Sequence, residues 1–222
     1  MQAAKKIFAK QKLYQRHSAS KNIKNCFKGK SLMEYIIIDI ETCPIELEGY
    51  LELSETDKKK LLNPIDSRTV AIGLRHGSKN IVIQDENEKL MLEEFWKEIK
   101  NFIGKDLKKK IVGFNLKEFD LPFLVTRSFI NNVKIFPFKI KEIIDLREKV
   151  SAFRYGFTRG KLKEFGEALD IELHEMDGSM VAEECIKGNM EKIKEYLNKD
   201  LEITDKMLKR IIETNIIEIE RW

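Results

Sequence analysis

The sequence predicts an α/β layer protein built on a mixed sheet. Three observations predict it: apolar, β-branched runs come early, helices and strands then alternate, and helical periodicity closes the chain. "YIIID" (35–39), "TVAIGLRH" (69–76) and "NIVIQ" (80–84) read as strands. The Gly/Ser/Asn link "HGSKN" predicts a hairpin between the last two. Residues 45–64 predict an irregular loop with one short helix. "EKLMLEEFWKEIKNFIG" sets Leu92, Phe95, Trp96, Ile99 and Ile103 on one helical face and stops at Gly104. "KIVGFN" (110–115) predicts a strand feeding a helix from about Leu121 to Phe129, and "KEIIDL" (141–146) a last strand. Helices are predicted over 161–169, 179–187 and 189–213.

The 222 residues suit one domain with a sizeable core. The net charge of +4 is unevenly spread. Residues 1–32 hold eight Lys, one Arg and no acid, so they carry +9 and the rest carries 4 − 9 = −5. A basic extension (1–32) and a folded domain (33–222) follow from that shift. Three readings of the extension stay open: a gene-start artefact with the true start at Met33, a disordered arm that grips phosphates, and an organellar presequence. Three cysteines without a CxxC pair suit a reducing compartment, and no apolar run reaches the length of a membrane span. The sequence predicts a soluble cytoplasmic protein with no membrane partner.

An apolar strand that ends on acids is costly to bury unless something pairs with them. Alternation puts Asp39 and Glu41 on one face of the first strand and Ile36, Ile38 and Ile40 on the other. Two carboxylates that close repel unless a cation lies between them. Asp120, two residues before Pro122, opens a helix. Tyr196 and Asp200 share a helical face beside the stripe Met190, Ile193, Leu197, Leu201 and Leu208. Each site alone has a plainer reading: strand-end acids facing water, a helix N-cap, a structural Tyr–Asp pair. Together they offer four hard oxygen ligands, which suit Mg²⁺ or Mn²⁺ better than zinc. The intervals are 81 residues from Asp39 to Asp120 and 80 from Asp120 to Asp200.

The ordered set D-I-E-T, N-x-x-x-F-D and Y-x-x-x-D resembles the DEDD 3′–5′ exonuclease superfamily. More closely, the chain is similar to the proofreading exonuclease domain of family-B DNA polymerases and to related stand-alone exonucleases, over residues 34 to about 210. "GFNLKEFDLPFL" resembles that group's second motif and "KLKEFGEALDIE…DGS" the stretch before its third. Tyr196 lies four residues before the last Asp, and Glu195 occupies the place where another branch carries His, so the resemblance is to the tyrosine branch. His174, off motif spacing, reads as a loop residue.

The resemblance implies a ribonuclease-H-like fold, a five-stranded mixed sheet flanked by helices, with Asp39 on the central strand. It implies two divalent cations, Mg²⁺ or Mn²⁺, between the carboxylates and the scissile phosphate. Asp39 would bridge both ions, Glu41 and Asp200 would hold the nucleophile-side ion, and Asp120 would anchor the other, partly through water. Tyr196 would orient the attacking water. The implied partner is single-stranded nucleic acid with a free 3′ end, DNA favoured, shortened to 5′-mononucleotides. Thr42 and Cys43 would receive the terminal nucleotide through their backbone, with Asn115 and Phe119 lining the cleft. "FRYGFTRGK" (153–161) mixes Arg154 and Arg159 with aromatics, a composition suited to phosphate contact and base stacking, or an ordinary loop. "GFTRGKL" is one residue short of a phosphate-binding loop and has Leu where Ser or Thr is required. A non-catalytic nucleic-acid-binding module on the same fold is the alternative class; losing one acid would be its signature, and none is missing.

Overall fold

The β-branched run that opens the domain becomes the middle strand of a mixed sheet. In the computed structural model, which describes residues 33–104, 106, 108–151 and 160–220, the strands are β1 (Tyr35–Pro44), β2 (Ser67–His76), β3 (Lys79–Ile83), β4 (Lys110–Gly113) and β5 (Ile144–Asp145). Their spatial order is β3-β2-β1-β4-β5. β1 pairs antiparallel with β2 and parallel with β4, and β5 extends the parallel side. The hairpin between β2 and β3 forms with His76 opposite Lys79.

The helices are α1 (Glu55–Lys60), α2 (Glu88–Ile103), α3 (Asp120–Ile130), α4 (Leu146–Val150), α5 (Leu162–Ala168), α6 (Val181–Ile186) and α7 (Met190–Glu213). α2 and α3 cover one sheet face. There Ile36, Ile38 and Ile40 of β1 pack with Leu92, Phe95, Trp96, Ile99, Phe123 and Leu124. α6 and α7 cover the other, where Val181, Ile193 and Leu197 meet Ala71. This is the ribonuclease-H-like arrangement. Among the described residues no helix is long and apolar enough to cross a membrane.

Two local outcomes differ from the sequence-based expectation. "KEIIDL" supplies a strand of only two residues, because Asp145 caps a new helix, α4, by accepting the Arg147 N–H. The pattern Asp145-x-x-Glu148 carries that start signal, and the neighbouring isoleucines hid it. β1 also runs past Asp39 to Pro44, because β2 keeps pairing with it across a bulge between Glu41 and Thr42.

Candidate metal centre

β1 outlasts its parallel neighbour. Pairing with β4 ends at Ile37↔Val112, whereas pairing with β2 continues to Pro44. Beyond Ile37 one edge of β1 therefore leaves the ladder, at the carboxyl end of both parallel strands. Asp39 and Glu41 lie in this stretch, on the face opposite Ile36, Ile38 and Ile40, under α7.

Gly73 of β2 governs how closely α7 approaches. It pairs with Asp39 in register. A Cβ there would lie 2.9 Å from Leu201 Cδ1 and 3.0 Å from Leu197 Cγ. The bare backbone lets these two leucines seat against the strand, and Asp200 arrives beside Asp39. Carboxylate oxygens of Asp39, Glu41 and Asp200 all lie within 4.8 Å of one another. Glu41 is 8% and Asp200 9% exposed while Asp39 is half-buried, so Glu41 does not face open water and Asp39 keeps an opening toward it.

Asp120 stands beside this trio in a different role. It is the first residue of α3, with Phe119 rather than Asp120 at the N-cap. Its carboxylate accepts its own backbone N–H and, at 3.1 Å, the N–H of Ile40 on the free edge of β1. The motif acid thus closes the strand edge that β4 leaves open.

The electrostatics follow from burial and carboxylate crowding, offset only in part by nearby donors. Asp39 and Glu41 are held well above the usual carboxylate range, first by burial and then by neighbouring carboxylates. Burial pushes Asp120 up to about 7, against the pull of its two N–H donors. Burial also pushes Asp200 up to about 6, while the Tyr196 hydroxyl and the Lys163 ammonium pull it down. The Tyr196 hydroxyl acts on Asp200, and burial with the surrounding carboxylates drives its phenol far above the ordinary tyrosine range. It is a neutral donor across the physiological range. The His174 ring meets the Tyr196 ring edge-on at 5.9 Å, and its Nδ1 accepts the Met176 N–H. His174 is a loop residue as expected, but one that packs on Tyr196.

No ion pair reaches Asp39, Glu41 or Asp200 among the described residues. Hard oxygens brought this close together, with no ion pair to any of the three acids, fit a divalent hard cation. The other candidate residues are placed as follows. Thr42 and Cys43 are buried, 7% and 1% exposed, on the part of β1 that β4 does not reach. Asn115 turns the chain after β4 with φ 61°, and its side-chain oxygen accepts from Arg147 at 2.8 Å. Phe119 packs on Phe123, ring centres 5.6 Å apart. Arg154 and Arg159 lie outside the described residues. Sequence reasoning missed Asp145, Lys163 and Gly73, whose relevance depends on long-range packing; only Asp145 carried a local signal.

A mixed sheet of this order, with carboxylates at the end of its middle strand, has the architecture of an exonuclease-like domain. The chain belongs to the family described as "Predicted 3'-5' exonuclease related to the exonuclease domain of PolB", whose model matches residues 75–207. That match spans Asp120, Tyr196 and Asp200 and begins after Asp39 and Glu41. The chain is 34% identical over 168 residues to an uncharacterised protein of Methanocaldococcus jannaschii, covering 71% of this chain and 93% of the relative. It shares its fold with the family B DNA polymerase of the hyperthermophilic archaeon Pyrobaculum calidifontis, with a TM-score of 0.63 at 16% identity. That likeness covers 84% of this chain and 25% of the polymerase, so the chain spans about a quarter of that enzyme's length.

Proposed function

We propose that the protein is a metal-dependent 3′–5′ exonuclease acting on single-stranded nucleic acid, DNA in preference to RNA, and releasing 5′-mononucleotides. The observation that carries this reading is the trio Asp39, Glu41 and Asp200, the first half-buried and the other two buried, with oxygens within 4.8 Å at the end of β1. These three and Asp120 are the residues that would hold two divalent cations, Mg²⁺ or Mn²⁺. Bound there, such ions supply positive charge against phosphate oxygens and acidify water. Tyr196, kept neutral by burial among carboxylates, orients the attacking water and is not its base. The free edge of β1 at Thr42 and Cys43 receives the terminal nucleotide through backbone groups, with Asn115 and Phe119 beside it. Arg154 and Arg159 are proposed as phosphate contacts. The free thiols of Cys43 and Cys185 suit an intracellular setting.

The test uses one single-stranded oligonucleotide labelled at either end, in DNA and RNA versions, with Mn²⁺. Labelled mononucleotide should appear at once from the 3′ label, and a shortening ladder from the 5′ label. Asp39→Ala should slow release by roughly a thousandfold or more, the rate equivalent of several kcal/mol of lost charge stabilisation. Equal release by wild type and variant would overturn the reading.

A further inference from the structure

Asp145 is 2% exposed at the end of β5, outside the acid motifs. Its carboxylate does more than cap α4. Oδ1 accepts the N–H of Arg147 at 2.9 Å and that of Asn115 at 3.0 Å, while Oδ2 accepts the Lys117 N–H at 3.0 Å. A cap would use only the first of these. The other two belong to the loop between β4 and α3, some thirty residues earlier in the chain.

That loop delivers Asp120. From Asn115, held in the left-handed conformation, the backbone closes through Phe119 N–H to the Asn115 carbonyl and Leu121 N–H to the Leu116 carbonyl, both at 3.0 Å. Arg147 adds a side-chain bond to the Asn115 oxygen at 2.8 Å. Asp120 then reaches Ile40 on β1 at 3.1 Å. The path runs from Asp145, through two loop amides, to the acid on the free edge of the middle strand. An anion suits this place because both oxygens accept and neither must donate; an amide would turn an N–H₂ toward a backbone N–H.

We infer that Asp145 is a positioning residue: it sets the β4–α3 loop so that Asp120 lies against Ile40 beside Asp39, Glu41 and Asp200. The kinetic half of this inference rests on the nuclease reading; the geometric half does not.

The experiment compares full-length wild type, Asp145→Ala and Asp145→Asn by two readouts. One is nucleotide release from a 3′-labelled strand with Mn²⁺; the other is amide hydrogen exchange in the metal-free protein. Asp145→Ala should lower kcat about 30-fold or more with KM within about twofold, since a misplacement near 1 Å can cost about a hundredfold. It should speed exchange at Ile40 about tenfold or more while Phe95 and Ile99 in α2 keep their protection. Asp145→Asn should fall between wild type and Asp145→Ala, because one carbonyl oxygen still accepts. Wild-type kcat together with wild-type Ile40 exchange overturns the inference. So does a loss of protection spread evenly through α2, which marks a merely structural role. If Asp145→Ala does not fold, Asp145→Asn decides: faster exchange confined to Ile40 supports the inference, and unchanged exchange overturns it. A wild type that releases no nucleotide sinks the nuclease reading, while Ile40 exchange still judges the positioning role.

Discussion

Two groups of acids lie between this sheet and its helices, and they are built in opposite ways. Glu88, 7% exposed, receives Arg127 Nη2 at 2.6 Å, Arg127 Nε at 2.9 and 3.1 Å, the Asn131 amide at 3.1 Å and the Thr69 N–H at 2.8 Å. Asp205, 1% exposed, receives the Tyr35 hydroxyl and Lys209, each at 2.8 Å, with Arg75 Nε at 3.3 Å. Asp200 lies only five positions before Asp205 on α7, yet it faces Asp39 and Glu41. A buried carboxylate with a resident cation is scaffold, its desolvation offset within the fold. A set of buried carboxylates facing one another raises its own proton affinity and leaves room for an outside cation. The contrast separates the two classes of acid more clearly than burial does.

The largest expected effects come from breaking each class in turn. Glu88→Gln leaves the Arg127 guanidinium buried and poorly paired, and should destabilise the fold by about 3–5 kcal/mol in chemical denaturation. Nuclease activity per folded molecule should survive. Asp200→Asn should do the reverse: mononucleotide release falls by roughly a thousandfold, and the metal-free protein is no less stable than wild type. A Glu88→Gln protein of wild-type stability would show that the contrast is wrong. Next in size is Gly73→Ala. Overpacking against Leu197 and Leu201 should cost about 1–3 kcal/mol and lower activity by displacing Asp200. Unchanged stability and activity would mean that α7 is not seated through this glycine.

The middle of this site was legible in the sequence because strand alternation is rigid. Asp39 and Glu41 could share a face only if Ile36, Ile38 and Ile40 shared the other, and those isoleucines are core. The helical stripe of α7 was legible for the same reason, with Ile193, Leu197, Leu201 and Leu208 all buried. Partners across sequence distance were not. No local pattern assigns Arg127 to Glu88 or Arg75 to Asp205, so the sequence does not distinguish those acids from Asp200. Asp120 was found by its motif, but its bond to Ile40 arises from β4 being shorter than β1, which is a property of pairing. From sequence Asp145 reads as part of a strand, because the two isoleucines before it outweigh its cap signal.

We propose that Asp39, Glu41, Asp120 and Asp200 together hold divalent cations. Burial raises Asp200 to about 6 and Asp120 to about 7, above the roughly 4 of an unfolded aspartate. Protonation therefore favours the folded state. This contribution is complete below about pH 4 and is lost as pH climbs through about 6 and 7, so the metal-free cluster costs stability at pH 8. The direct measurement is thermal unfolding at pH 5 and pH 8, with and without Mn²⁺, for wild type and the Asp39→Asn/Asp200→Asn double variant. Without metal, wild type should lose more stability than the variant between pH 5 and pH 8. Mn²⁺ at about 100 times its Kd should restore about 2.7 kcal/mol to wild type at pH 8, less at pH 5, and little to the variant. Parallel pH profiles for the two proteins, with no Mn²⁺ effect on wild type at pH 8, would contradict the account.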